Sequence, residues 1–279
     1  MAIEPDGSAE DAAAESYEQP TNEPSGVSDT DLFDLDAVLA KYVVKPEAAG
    51  KPELILLYSP AGSGKTYFAA SACELPGVKK VLYLDVEGST KGTLGSFDKN
   101  KIDIIPIYLE EPSRQFPLLN TIVSKLGDKN TVTKYDVVVV DTYDVAQDLS
   151  ISAFENADGF QTWRDVKEWS LDTARMLKRI APLGILVMHD REEKVDSGAI
   201  VARLRLSGAA KDVLPGIPDM VAYLERKLSK EDGKVHTYAY FESSNKKVTK
   251  NRFKFPPIME DADLPALWAY IDEQAEGKE

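Results

Sequence analysis

The chain has 279 residues, 43% of them hydrophobic, enough for one sizeable core with tail sequence to spare. Its single cysteine, Cys73, excludes an intramolecular disulfide framework, and no apolar run approaches the ~18 residues that a membrane helix needs. The formal net charge of −14 at first argues against nucleic acid as a partner, because phosphate backbones are held by an excess of cations.

That charge is unevenly placed. Residues 1–40 hold eleven acidic side chains and no Lys or Arg, and removing them leaves 36 acids against 33 bases, a net of −3 for residues 41–279. A basic groove on the body of the protein is compatible with this balance. Residues 1–30 are acidic, small and punctuated by Pro and Gly, so they are expected to form a disordered tail. Solvation is its simplest role, and mimicry of nucleic acid in a basic groove is the alternative. An acidic start and a lone cysteine in an apolar stretch, where it packs, fit a protein of the reducing cytoplasm with no membrane association.

Residues 31–279 are expected to form one α/β domain. "DLFDLDAVLAKYVV" (31–44) reads as a short packed element, and "KPELILLYS" (51–59) as a buried strand. "KTYFAASACEL" is helical, "KKVLYLDVEG" a second strand and "IDIIPIYL" a third, followed by a helix from Phe116 to Leu126. "YDVVVVDTYD" carries four consecutive valines, the mark of a strand covered on both faces. "TWRDVKEWSLDTARMLKRIA" is an amphipathic helix, with Val166, Trp169, Thr173, Leu177 and Ile180 on one face. "LGILVMHD" is the next buried strand, "MVAYLERKL" and "KVHTYAYFES" form a hairpin about Ser229–Gly233, and a helix from Leu264 to about Gln274 ends the domain. Strands alternating with helices predict a mainly parallel sheet.

The chemistry is concentrated in a few of these junctions. "SPAGSGKTY" (59–67) lies between a strand and a helix and reads as a phosphate-binding loop. Pro60, Ala61, Gly62, Ser63, Gly64, Lys65, Thr66 and Tyr67 are the expected nucleotide contacts. The two glycines let backbone N–H groups converge on phosphate oxygens, Lys65 reaches the β- and γ-phosphates, and Thr66 binds Mg²⁺. Ser59 replaces the first glycine of the usual motif. Asp141 ends the valine strand, where its carboxylate can hold a Mg²⁺-bound water, and Asp144 is its local rival. Asp85 and Glu87 stand two apart at the end of the second strand, so both side chains are expected to point the same way. A glutamate there can activate the attacking water.

In this order, "SPAGSGKT", "LYLDVEG", "VVVVD" and "ILVMHD" resemble the ATPase core of RecA-like recombinases, most closely the phage proteins of the Sak single-strand-annealing group. The resemblance covers roughly residues 50–260 and implies a RecA-like P-loop core with a C-terminal β-hairpin extension. It implies Glu87 as the catalytic base, and His189 with Asp190 in the place of the γ-phosphate sensor, where the family carries Asn-Gln. "TKNRFK" is similar to the basic fingers of RadA- and DnaB-type ATPases, implying that Lys250 and Arg252 reach the γ-phosphate of a neighbouring subunit. Lys254 stands where a glycine is expected.

Two loops contact DNA in this fold class, which places them at about Gln147–Thr162 and Arg191–Ala210. Arg191, Lys194, Arg203, Arg205 and Lys211 are the expected phosphate contacts. Phe160 and Trp163 are candidates for base stacking, with helix packing the favoured reading for Trp163. The implied function is ATP- and Mg²⁺-dependent binding of single-stranded DNA. Annealing or strand exchange would follow in a homo-oligomeric ring or filament, alongside a single-stranded DNA-binding protein in a bacterial host cell. Two other readings stay open: a nucleotide-gated replication or helicase-loading ATPase, and a P-loop small-molecule kinase.

Overall fold

The structure, a computed structural model, describes residues 50–128, 134–155, 159–194, 198–230, 232–244 and 246–276. The expected acidic tail and the packed element at 31–44 lie outside these residues. The rest is the α/β arrangement expected, a mainly parallel sheet flanked by helices and extended by a C-terminal hairpin.

The strands are β1 (Leu54–Ser59), β2 (Val81–Asp85), β3 (Ile102–Pro106), β4 (Val137–Asp141), β5 (Leu183–Lys194), β6 (Ile200–Leu204), β7 (Met220–Leu228), β8 (Val235–Tyr240), β9 (Lys250–Asn251) and β10 (Ile258–Glu260). The helices are α1 (Lys65–Ala70), α2 (Pro112–Leu126), α3 (Tyr143–Phe154), α4 (Gly159–Ile180), α5 (Ala210–Val213) and α6 (Leu264–Glu276). The sheet runs β10-β8-β7-β1-β5-β4-β2-β3, parallel from β7 to β3, with β8 and β10 antiparallel at one edge.

The valine run explains the layering. Val137 and Val139 pack in the layer with Phe68 of α1 and Leu267 of α6, whereas Val138 and Val140 face Val123 of α2, Ala146 of α3 and Leu177 of α4. A strand buried on both faces has no need of polar alternation, and each buried valine contributes about 1.5–3 kcal/mol. Gly184 is required by closeness: a Cβ there would lie 2.9 Å from Leu54 Cδ1 and 3.1 Å from the Leu177 carbonyl oxygen. Among the described residues no helix is long and apolar enough to cross a membrane.

Two expectations about loops are corrected. The segment Gln147–Thr162 is not a loop, because α3 continues to Phe154 and α4 begins at Gly159. The segment Arg191–Ala210 is largely a hairpin: β5 outlasts its parallel partners and pairs antiparallel with β6, from Asp190↔Leu204 to Lys194↔Ile200. Helix α2 also begins earlier than expected, with Pro112 at its first position, where a missing N–H costs nothing.

Parallel register brings the functional strand ends together. Ser59 of β1 lies beside His189 of β5, and Asp85 of β2 beside Asp141 of β4. Ligands of open parallel sheets bind at this carboxyl edge.

Candidate active site

The phosphate loop turns from β1 into α1 through Gly62 (φ 76°) and Gly64 (φ 89°), conformations that cost a side-chain-bearing residue free energy. Lys65 is buried and its ammonium donates to the carbonyl oxygens of Ser59 (2.9 Å) and Pro60 (2.8 Å). Burial holds its pKa below the usual lysine range, with the carboxylates of Asp141, Asp144, Asp190 and Glu87 opposing. Ser63 braces the loop by donating its hydroxyl to Pro60 O at 2.9 Å.

Thr66 Oγ1 donates to Asp141 Oδ2 at 2.8 Å, while Asp141 Oδ1 is buried with no hydrogen-bond partner. Desolvation pushes the Asp141 carboxyl up to about 6, against the hydrogen bond from Thr66. An orphaned carboxylate oxygen beside a threonine hydroxyl and a phosphate loop fits a hydrated Mg²⁺ ion, which prefers oxygen donors and keeps most of its waters.

Asp85 and Glu87 part company. The Asp85 carboxylate turns back to accept from Gly88 N (2.7 Å) and Thr90 Oγ1 (2.5 Å), so it braces the bend after β2. Strand β2 ends at Asp85, the side-chain alternation stops there, and Glu87 alone faces the cleft. Its Oε2 accepts from Thr142 Oγ1 at 3.3 Å and lies 3.8 Å from His189 Nε2.

His189 and Asp190 are likewise separated by the strand's alternation. His189 lines the cleft, while Asp190 accepts a hydrogen bond from Tyr223 OH at 3.3 Å and does not line it. Asp144 is fully buried and organises what lies behind His189. It takes the His189 backbone N–H at 3.1 Å, sits 3.0 Å from His189 Nδ1, and accepts from Arg205 Nη1 at 2.9 Å. The hydrogen bond to Asp144 raises the imidazole pKa against the effect of burial. Burial would raise the Asp144 carboxyl, but its bonds to His189 and the nearby Arg205 hold it below the usual range.

The resulting cleft has a volume of about 960 Å³ and brings Ala61, Gly62, Gly64, Lys65, Thr66, Tyr67, Glu87, Asp141 and His189 onto one wall system. Pro60 and Ser63 shape the loop from outside it. Residues that the motifs do not mark complete the cleft: Thr142, Thr93, Ser96, and Arg226, Thr237 and Asp261–Asp263 from the C-terminal extension. The only signal for Arg226 in the sequence is alternation, since Ala222 and Leu224 are core residues on the same strand face.

Lys250 and Arg252 lie away from their own chain's cleft. Strand β9 pairs with Met220 and Val221 at the start of β7, the end opposite the phosphate loop. Lys250 Nζ donates to Gly216 O and Pro218 O, both at 2.6 Å, and Arg252 Nη1 pairs with Asp219 Oδ1 at 3.0 Å. The expected DNA contacts are gathered around the β5–β6 hairpin. Arg191 and Arg203 are direct cross-strand neighbours, an arrangement of like charges that is unfavourable without an anion. The side chain of Glu193 bonds Arg191, which holds its carboxyl below the usual range, with Lys211 and Arg203 close enough to add to the effect. Lys194 is exposed, and Arg205 spans Asp144 and Asp148. Trp163 is half-exposed and lies against Gly208, and Phe160 is exposed.

No curated protein sequence matches the chain. Among solved structures it is similar to the flagellar accessory protein FlaH from Methanocaldococcus jannaschii, at 12% identity over 74% of this chain and 83% of that one, with a TM-score of 0.42. It is also similar to the RadB recombinase, at 17% identity over 75% and 86% of the two chains, with a TM-score of 0.41. The family model AAA_24, an AAA domain, matches residues 51–253, which contain the phosphate loop, Glu87, Asp141 and His189. The chain therefore belongs to the AAA domain family of P-loop ATPases.

Proposed function

We propose that this ATPase couples hydrolysis of ATP to binding of single-stranded DNA, and promotes annealing or strand exchange as a homo-oligomer, in the manner of the phage annealing group its motifs resemble. The observation that carries the reading is the Asp144 carboxylate. It is shared between His189, inside the cleft, and Arg205, beside the Arg191–Arg203 hairpin. A change at the γ-phosphate that moves His189 alters what holds Arg205, and DNA that draws Arg205 away alters His189.

In the cleft, Lys65 exchanges the Ser59 and Pro60 carbonyls for phosphate oxygens, joined by the loop's N–H groups. Thr66 would hold Mg²⁺ directly and Asp141 through a water. When bound, the ion neutralises charge on the phosphates. Glu87 takes the proton of the attacking water, its carboxylate oriented by Thr142 and His189. Arg252 is more than half exposed at the far end of β7, a placement suited to serving a neighbour's site, whereas Lys250 is committed to two backbone carbonyls.

The test is ATP turnover with and without single-stranded DNA across a protein-concentration series, for the wild type and Arg252→Ala. DNA stimulation, a specific activity that rises with concentration, and loss of turnover with retained nucleotide binding in Arg252→Ala are expected. Turnover indifferent to both DNA and concentration overturns the reading. It would favour phosphoryl transfer to a small molecule, for which Arg226 offers a cation within the chain's own cleft.

A further inference from the structure

We infer that Arg226 is a phosphate-binding residue of its own chain's cleft, supplied by the β7–β8 hairpin rather than by the phosphate loop. The inference rests on the reading of the cleft as an ATP site and extends it, by naming a cation that the chain brings to its own nucleotide.

Strand β7 places the residue. Ala222 and Leu224 pack in the layer with α1, so the next residue on that face, Arg226, continues past the core toward the loop at the start of α1. Its register partner on β8 is Thr237, which therefore points the same way. Both arrive over the loop: Arg226 Nη1 is 3.4 Å from Gly62 O, and a Cβ on Gly64 would meet Thr237 Oγ1 at 3.8 Å. Thr237 is itself fixed by Asp261, whose carboxylate accepts from the Thr237 N–H at 3.0 Å.

The chemistry of that position favours an anion. At 3.4 Å the bond to Gly62 O is at the long limit for such a contact, and the guanidinium is exposed. Among the described residues no carboxylate forms an ion pair with Arg226. Lys65 is placed alike, its ammonium resting on the carbonyls of Ser59 and Pro60. Two cations held by neutral carbonyls of one loop have weaker partners than phosphate oxygens would offer, because an anionic acceptor adds attraction between opposite charges to the hydrogen bond. A planar guanidinium also grips phosphate with two donors, which a lysine cannot do.

The experiment measures binding of ATP, ADP and adenosine, with Mg²⁺ present, to the wild type, Arg226→Ala, Arg226→Lys and Lys65→Ala. Arg226→Ala should weaken ATP binding by about tenfold, the size expected for one charge-assisted bond, and leave adenosine unchanged. Arg226→Lys should recover part of the loss, and the melting temperature without nucleotide should stay at the wild-type value. Wild-type ATP affinity in Arg226→Ala overturns the inference, and so does a loss that is equal for adenosine. If Lys65→Ala loses ATP while Arg226→Ala keeps it, the inference alone falls. If the wild type binds no ATP, the reading of the cleft falls with it.

Discussion

Replacing Asp141 by Asn separates the cost of the charge from its use. The Asp141 carboxyl is buried, has one orphaned oxygen, and is pushed by desolvation from the ordinary 3.8 up to about 6. A raised carboxyl pKa means that the folded state binds the proton more tightly than the unfolded one. Its stabilising contribution is complete below 3.8 and is lost as the pH rises through about 6. Above pH 7 the ionised group therefore costs the fold up to about 3 kcal/mol, at 1.36 kcal/mol for each pH unit of displacement. Asn keeps the shape and still accepts from Thr66, but leaves an amide N–H₂ where the orphan oxygen stood, which takes back about 1 kcal/mol. The net gain of about 1–2 kcal/mol at pH 8 corresponds to a rise in melting temperature of about 2–8 °C for a domain of this size. Thermal unfolding without nucleotide at pH 8 and pH 5 is the assay: the variant's advantage should be full at pH 8 and smaller at pH 5. Adding Mg²⁺ and ATP should reverse the order, stabilising the wild type and not the variant. An Asp141→Asn variant that is less stable than wild type at pH 8, or equally displaced at both pH values, would refute this account.

Asp144→Asn should lower the His189 pKa toward its ordinary value, because the bond to Asp144 is the largest cause of its elevation. The chain has two histidines, and His236 is raised by Asp232 and Asp261 instead, so it serves as the internal control in an NMR titration of the imidazoles. ATP affinity should survive while DNA stimulation falls about tenfold, and stimulation at the wild-type level would show that the shared carboxylate carries no signal. Asp219→Ala should destabilise the protein by about 2–4 kcal/mol in urea unfolding without weakening ATP binding. This carboxylate takes the N–H groups of Glu53 and Leu54 together with Lys178 and Arg252, at the opposite end of β1 from the loop. A loss below about 0.5 kcal/mol would mean that solvent replaces those partners at no cost.

Local pattern sufficed wherever one segment dictates its own environment. The buried strands at Leu54, Val81, Val137 and Leu183, the glycines that turn β1 into α1, and the gathering of Lys65, Thr66 and Asp141 at one sheet edge were legible because apolar runs and a phosphate loop carry their meaning in adjacent residues. Helix α3 was not, since its buried face includes Asp144, Gln147 and Ser150, and apolar periodicity is blind to polar groups that satisfy one another. The hairpin of β5 and β6 was read as a loop because antiparallel pairing depends on a partner several residues away, and cations at its strand ends mimic a loop's composition. Spacing put Asp85 with Glu87, and the family resemblance put His189 with Asp190. The end of β2 and the alternation along β5 divided each pair, leaving one member in the cleft and the other as a brace. Arg226, Thr237 and Asp261 join the cleft from far beyond the loop in sequence, Arg226 lying 164 residues after Gly62, through sheet register and a hairpin. Sequence determines which residues can hold a phosphate, but only long-range strand pairing decides which of them meet.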